Sequence, residues 1–178
     1  MTLQIVYETH AITTDNEQGI ATGWLPGRLS EHGRETAAEM GERRRNDGIN
    51  VVYVSDLERA LETVRIAFEG SDIPTVVDSR LRECNYGLLN GAPGEQIARQ
   101  RPSHLADPWP EGESYLDVVE RTRALLDDLV AMWDGGRVLL VAHSANWWSL
   151  DHLLLGNDLA DLLAADFVWQ SGWEYEIG

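Results

Sequence analysis

The chain has 178 residues, enough for one domain built around a single substantial core. Fourteen basic residues against thirty acidic ones leave a formal charge of −16, a field that repels nucleic acid and anionic membrane surfaces and excludes both as partners. The one cysteine, Cys84, excludes an internal disulfide and a multi-cysteine metal site; no run approaches the ~20 apolar residues of a membrane span and no secretory leader is visible, so a cytoplasmic location is the expectation.

In chain order, the apolar run Leu3 to Tyr7 predicts a strand that leads through Glu8 and Thr9 into His10. Ser30 caps a predicted helix from about His32 to Arg45, stopped by Asn46-Asp47-Gly48. Val51 to Val54 predicts a second strand, and the helix after Asp56 places Leu57, Ala60, Leu61, Val64 and Phe68 on one face. Thr75 to Val77 reads as a third strand. The Gly- and Pro-rich stretch Asn85 to Pro110 reads as a long excursion of the kind that forms lids and pocket walls.

The clearest helix runs from Ser114 to Trp133, where Tyr115, Val118, Val119, Leu125, Leu126, Leu129 and Trp133 follow the 3.6-residue period. Ser114 and Asp117 form a capping-box pair at its start. Val138 to Ala142 predicts a fourth strand that delivers His143, with Trp147-Trp148 at the start of the next helix. A last strand lies near Trp173 to Ile177. No repeat or linker interrupts the pattern, so residues 1–178 read as one domain. Strands alternating with helices predict an α/β fold: a three-layer α/β/α sandwich with a mainly parallel sheet.

Side chains at the carboxyl ends of parallel strands face the ligand crevice of such a sheet. His10 and His143 both stand there, and Arg59 and Glu83 lie between them in the chain. Singly, each has an ordinary reading. Arg59 suits a surface ion pair, Glu83 a solvated acid beside Arg80 and Arg82, and His143 a strand-end imidazole bound to a carbonyl. Together they supply a nucleophile, a proton carrier and a cationic clamp. His10, His143 and Glu83 also form a two-histidine, one-carboxylate set, but no local spacing signature of a metal site accompanies them, so no metal and no cofactor is expected. His32, His104 and His152 have no partner motif and read as surface or loop residues.

Several segments add a more specific signal. They are Thr9-His10-Ala11-Ile12-Thr13 with Asn16, Gly23-Trp24, Leu29-Ser30-Glu31-His32-Gly33 and Ser55-Asp56-Leu57-Glu58-Arg59-Ala60-Leu61-Glu62-Thr63. Arg80-Leu81-Arg82-Glu83-Cys84-Asn85-Tyr86-Gly87, Gly112-Glu113-Ser114 and Val141-Ala142-His143-Ser144 follow. In this order, over nearly the full length, the chain resembles the histidine phosphatase superfamily, the phosphoglycerate-mutase-like proteins. The resemblance implies that fold and a small-molecule phosphomonoester hydrolase working through a phosphohistidine on His10. Glu83 would act as the proton carrier, with Arg59 and His143 stabilising charge on the phosphoryl oxygens and no metal required. Thr9, Asn16, Trp24, Ser144 and Trp147 are the candidate substrate-binding residues.

The pattern departs from the family at the first histidine. Thr9 stands where the family has arginine and Ala11 where it has glycine, while Glu8 adds negative charge nearby. Arg28, Arg82 and Arg101 are candidates to replace the lost cation. A glycolytic mutase, which must grip two anionic groups, is disfavoured. One alternative is acid–base chemistry (an isomerase, cyclase or hydrolase) on a phosphate-free metabolite walled by Trp24, Trp109, Trp147 and Trp148; another is a catalytically silent binding protein. Trp169 and Trp173 near the C-terminus read as packing or as a homodimer contact.

Overall fold

The apolar runs become five strands of one sheet: β1 (Leu3–Thr9), β2 (Val51–Val54), β3 (Thr75–Val77), β4 (Arg137–Ala142) and β5 (Trp173–Ile177). The helices are α1 (Thr14–Glu17), α2 (Glu31–Arg44), α3 (Glu58–Ala67), α4 (Gly94–Gln100), α5 (Tyr115–Met132), α6 (Ser144–Leu155) and α7 (Leu159–Ala164). These assignments come from a computed structural model that describes residues 1–178. The strand order is β3-β2-β4-β1-β5. All neighbours are parallel except β5, which closes the edge antiparallel to β1.

The central strands are mainly apolar because both faces of the sheet are covered. Successive side chains alternate between those faces. Val6, Val52, Val54, Leu139 and Val141 meet Met40 of α2 and Ala60, Val64 and Ala67 of α3. Ile5, Tyr7, Val51, Tyr53, Val138 and Leu140 meet Leu125 and Leu129 of α5 and Leu150 of α6. Trp173 belongs to this packing, its ring 5.1 Å from that of Trp147 and 6.0 Å from that of Tyr7.

The N-terminal caps of the two longest helices act as expected. The Ser30 hydroxyl accepts from Gly33 N–H at the start of α2, and Ser114 exchanges bonds with Asp117 at the start of α5. Helices α1, α4 and α7 were not foreseen, since four to seven residues are too few to show a helical period. Helix α4 and two 3₁₀ turns, Gly87–Leu89 and Arg101–His104, occupy the long excursion. A third core of Cys84, Tyr86, Trp109, Tyr115, Trp148 and Leu163 fastens that excursion to α5, α6 and α7.

The register of the central strands places the histidines. Thr9 lies opposite Ala142, and His10 N–H donates to Ala142 O at 2.9 Å, extending the ladder by one residue. His10 and His143 thus emerge side by side. Val54 lies opposite Val141, which brings Ser55 to the same edge from β2.

Candidate active site

His10 is half-buried at the end of β1, and its Nδ1 lies 2.7 Å from the carbonyl of Ala11. A carbonyl only accepts, so Nδ1 carries the proton and Nε2 keeps its lone pair. Burial, with Arg59 nearby, lowers the pKa of His10 to about 3, which keeps the imidazole neutral at physiological pH. The loop that presents it is tied down from α3: Ala11 N–H donates to Thr63 Oγ1 at 3.0 Å, and the Thr63 hydroxyl donates to Arg59 O at 2.7 Å. From the other side, Gly33 lets α2 press against the carbonyl of Ile12, where any side chain would collide.

His143 is fully buried, with its ring centroid 5.1 Å from that of His10. Its Nε2 lies 2.9 Å from Ser55 Oγ, and its backbone carbonyl accepts from the Tyr7 hydroxyl. Its N–H donates to Asn146 Oδ1 at 3.1 Å, fixing the turn into α6. Its Nδ1 is buried without a partner. With the Ser55 hydroxyl assigned as the donor to Nε2, the imidazole proton sits on the unpartnered Nδ1, while Ser55 Oγ accepts from Leu57 N–H at 3.2 Å. Burial first, then Arg59 and His10, pushes the His143 pKa well below the usual histidine range.

Arg59, in the first turn of α3, is 3% exposed. Its Nη2 donates to Gly23 O at 2.8 Å, whereas Nη1 is buried and unpaired. Burial lowers its pKa, opposed by the charge of Glu83. One oxygen of Glu83 accepts from Cys84 N–H at 2.8 Å and the other from the Ser144 hydroxyl at 3.3 Å. The Glu83 carbonyl accepts from Trp24 Nε1 at 2.7 Å and from Arg121 Nη2 at 3.0 Å, so its backbone is held as well. A cavity of about 770 Å³ opens at this edge of the sheet and is lined by Thr9, His10, Asn16, Arg59, Glu83 and Ser144, among others.

Residues 9–168 match the histidine phosphatase superfamily (branch 1). The chain belongs to that superfamily. The 2,3-bisphosphoglycerate-dependent phosphoglycerate mutase of Neisseria meningitidis is 27% identical to it, covering 92% of this chain and 90% of that protein. Among solved structures, mycobacterial hydrolase 1 superposes with a TM-score of 0.86 at 27% identity, covering 99% of this chain and 91% of the other. The mycobacterial glucosyl-3-phosphoglycerate phosphatase does so with a TM-score of 0.80 at 31% identity, covering 92% and 84%. That phosphatase has also been solved with VO3, a structure with a TM-score of 0.77 at 32% identity, covering 92% and 87%.

Trp24 and Trp147 do not line the cavity. Trp24 spends its N–H on the Glu83 carbonyl and carries Arg82 4.5 Å above its ring. Trp147 packs inward against Trp173 and Phe167. Trp109 and Trp148 are buried in the third core, so none of the four tryptophans lines the cavity. Trp169, 56% exposed, lines the cavity instead. Glu8 does not add free charge, because Arg44 Nε holds it at 2.8 Å and Arg43 Nη2 at 3.1 Å.

Of the proposed replacement cations, Arg28 is exposed outside the cavity, and Arg82 is clamped by both oxygens of Asp56 at 2.7 and 2.6 Å. Arg101 does line the cavity. No group of three or more His, Cys, Asp or Glu side chains is arranged to hold a metal ion. No helix is long and apolar enough to cross a membrane. Sequence reasoning missed Ser55, Thr63 and Tyr7 as supports of the site. The first two lie within the quoted Ser55 to Thr63 segment, which was the available signal; Tyr7 sits in a plain apolar strand and offered none.

Proposed function

We propose that the chain hydrolyses small phosphate monoesters through a phosphohistidine formed on His10. The observation that carries this reading is the buried, unpaired Nη1 of Arg59 on the same cavity as a neutral His10 whose tautomer leaves Nε2 free. A buried donor without a partner is costly, and an anion in the cavity removes that cost. In the first step His10 Nε2 attacks phosphorus in line, the ester P–O bond breaks, and Glu83 gives its proton to the leaving oxygen. In the second, water attacks the phosphohistidine as Glu83 takes its proton, releasing phosphate and restoring His10. Arg59 and the Nδ1–H of His143 stabilise the equatorial oxygens in both steps. Thr9, Asn16 and Ser144 border the substrate, and no cofactor enters the scheme. Thr9 makes this a divergent member, because the phosphoryl group meets one arginine where the family pattern supplies two.

That same substitution favours a second reading, acid–base chemistry by His10, Glu83 and His143 on a phosphate-free metabolite. Hydrolysis of p-nitrophenyl phosphate, compared between wild type and His10→Ala and titrated with vanadate, separates the two. Turnover lost in the mutant and inhibited by vanadate is expected. No turnover, together with no vanadate binding, would overturn the phosphatase reading in favour of the second.

A further inference from the structure

All 14 basic residues are arginines, set among thirty carboxylates. Ten of them are ion-paired with Asp or Glu, and only Arg28, Arg45, Arg59 and Arg101 are not. Arg28 is exposed, and Arg45 is bound by the carbonyl of Ala67 at 2.6 Å. The remaining two line the same cavity. In a chain with two acids for every base, neither of these guanidinium groups lies within ion-pair distance of a carboxylate, although Glu83 shares their cavity. Unpaired cations on a cavity suit an anion from outside.

Arg101 follows α4 directly. Its guanidinium carbon lies 4.4 Å from the centroid of the Trp148 ring, a cation–π contact that fixes its plane. Its Nη1 reaches only the carbonyls of Leu163 and Ala165, at 3.3 and 3.4 Å, and its Nε is buried without a partner. The surroundings are apolar. Ile97 sits one helical turn before Arg101, and Phe167 and Trp169 follow the Ala165 carbonyl that Arg101 touches. All three line the cavity, with Ile20 and Ala21.

Building on the phosphomonoesterase reading, we infer that the leaving group is an apolar body bearing a carboxylate, which Arg101 binds while Arg59 faces the phosphoryl group. A planar guanidinium held flat on an indole matches a carboxylate edge.

The test compares phenyl phosphate with 4-carboxyphenyl phosphate as substrates for wild type, Arg101→Met and Arg101→Lys. The quantity read is the ratio of kcat/KM for the two esters. Comparing that ratio between variants cancels the difference in leaving-group acidity. A charge-assisted bond contributes about 1.5–3 kcal/mol, so Arg101→Met should lower the ratio by roughly 10- to 150-fold, through KM, with Arg101→Lys between. An unchanged ratio in Arg101→Met would overturn the inference. A second arm measures binding of 4-hydroxybenzoate and phenol by tryptophan fluorescence. If no protein turns over either ester, the phosphatase reading fails and this arm alone decides on Arg101. At least tenfold weaker 4-hydroxybenzoate binding in Arg101→Met, with phenol as reference, supports the site; equal binding refutes it.

Discussion

Replacing Arg59 with methionine should leave the ligand-free protein at least as stable while removing its affinity for oxyanions. The guanidinium is 3% exposed, holds one hydrogen bond to Gly23 O at 2.8 Å, and leaves Nη1 unpaired. Burial lowers its pKa in the folded state. A base whose folded pKa is depressed costs stability wherever the unfolded form is charged, which includes neutral pH. Methionine is similarly long and uncharged. Removing the unpaired donor relieves ~1–3 kcal/mol, and loss of the Gly23 bond costs about 1 kcal/mol. The net gain of roughly 0–2 kcal/mol corresponds to at most about 8 °C in Tm for a domain of this size. Wild type in vanadate at 100 times its Kd should gain ~2.7 kcal/mol, or about 5–10 °C, and Arg59→Met should not respond. Thermal denaturation of both proteins with and without vanadate measures all four values. A mutant destabilised by more than about 1 kcal/mol that still shifts with vanadate would refute the reasoning and make Arg59 a structural cation.

If Glu83 protonates the leaving oxygen, Glu83→Gln should slow alkyl phosphates by about 10²–10⁴ and p-nitrophenyl phosphate far less; equal slowing of both would argue against that role. Thr9→Arg should add a second charge-assisted contact to the phosphoryl group, worth about 1.5–3 kcal/mol, and raise kcat/KM for p-nitrophenyl phosphate by roughly 10- to 150-fold. No gain would mean that the 7% exposed Thr9 site cannot admit the longer side chain in a productive pose. The depressed pKa values of His10 and His143 make stability pH-dependent with a defined sign. Unfolded imidazoles take up protons near pH 6.5, whereas folded His10 does so only near pH 3, so stability is fully present above pH 6.5 and falls below it. The urea midpoint of wild type should therefore drop between pH 7.5 and 5, and His10→Gln should drop less. Parallel curves would contradict a neutral buried His10.

Much of this protein was legible along the chain. Strands β1 and β4 announced themselves as apolar runs, because a sheet covered on both faces favours apolar residues on successive positions. Helix α5 showed its period over 18 residues and its capping box, both local properties of consecutive side chains. Short α4 and α7 could not be seen, since they are stabilised by the third core rather than by a pattern of their own. The motif order that runs from His10 to His143 also indicated the superfamily before any geometry was known.

What the chain alone could not determine is where each side chain spends its hydrogen bonds and charge. Trp24 and Trp147 sit beside site residues in sequence, yet one supports the Glu83 carbonyl and the other packs beneath the sheet edge. Glu8 stands two residues before the nucleophile candidate, but its side chain turns towards Arg43 and Arg44 of α2. Arg82 and Arg101 looked equivalent as spare cations until Asp56 was found on one and only Trp148 and two carbonyls on the other. Strand identity and motif order are local or one-dimensional, so sequence determines them. Pairing is a matter of distance between residues far apart in the chain, and only the tertiary structure sets those distances.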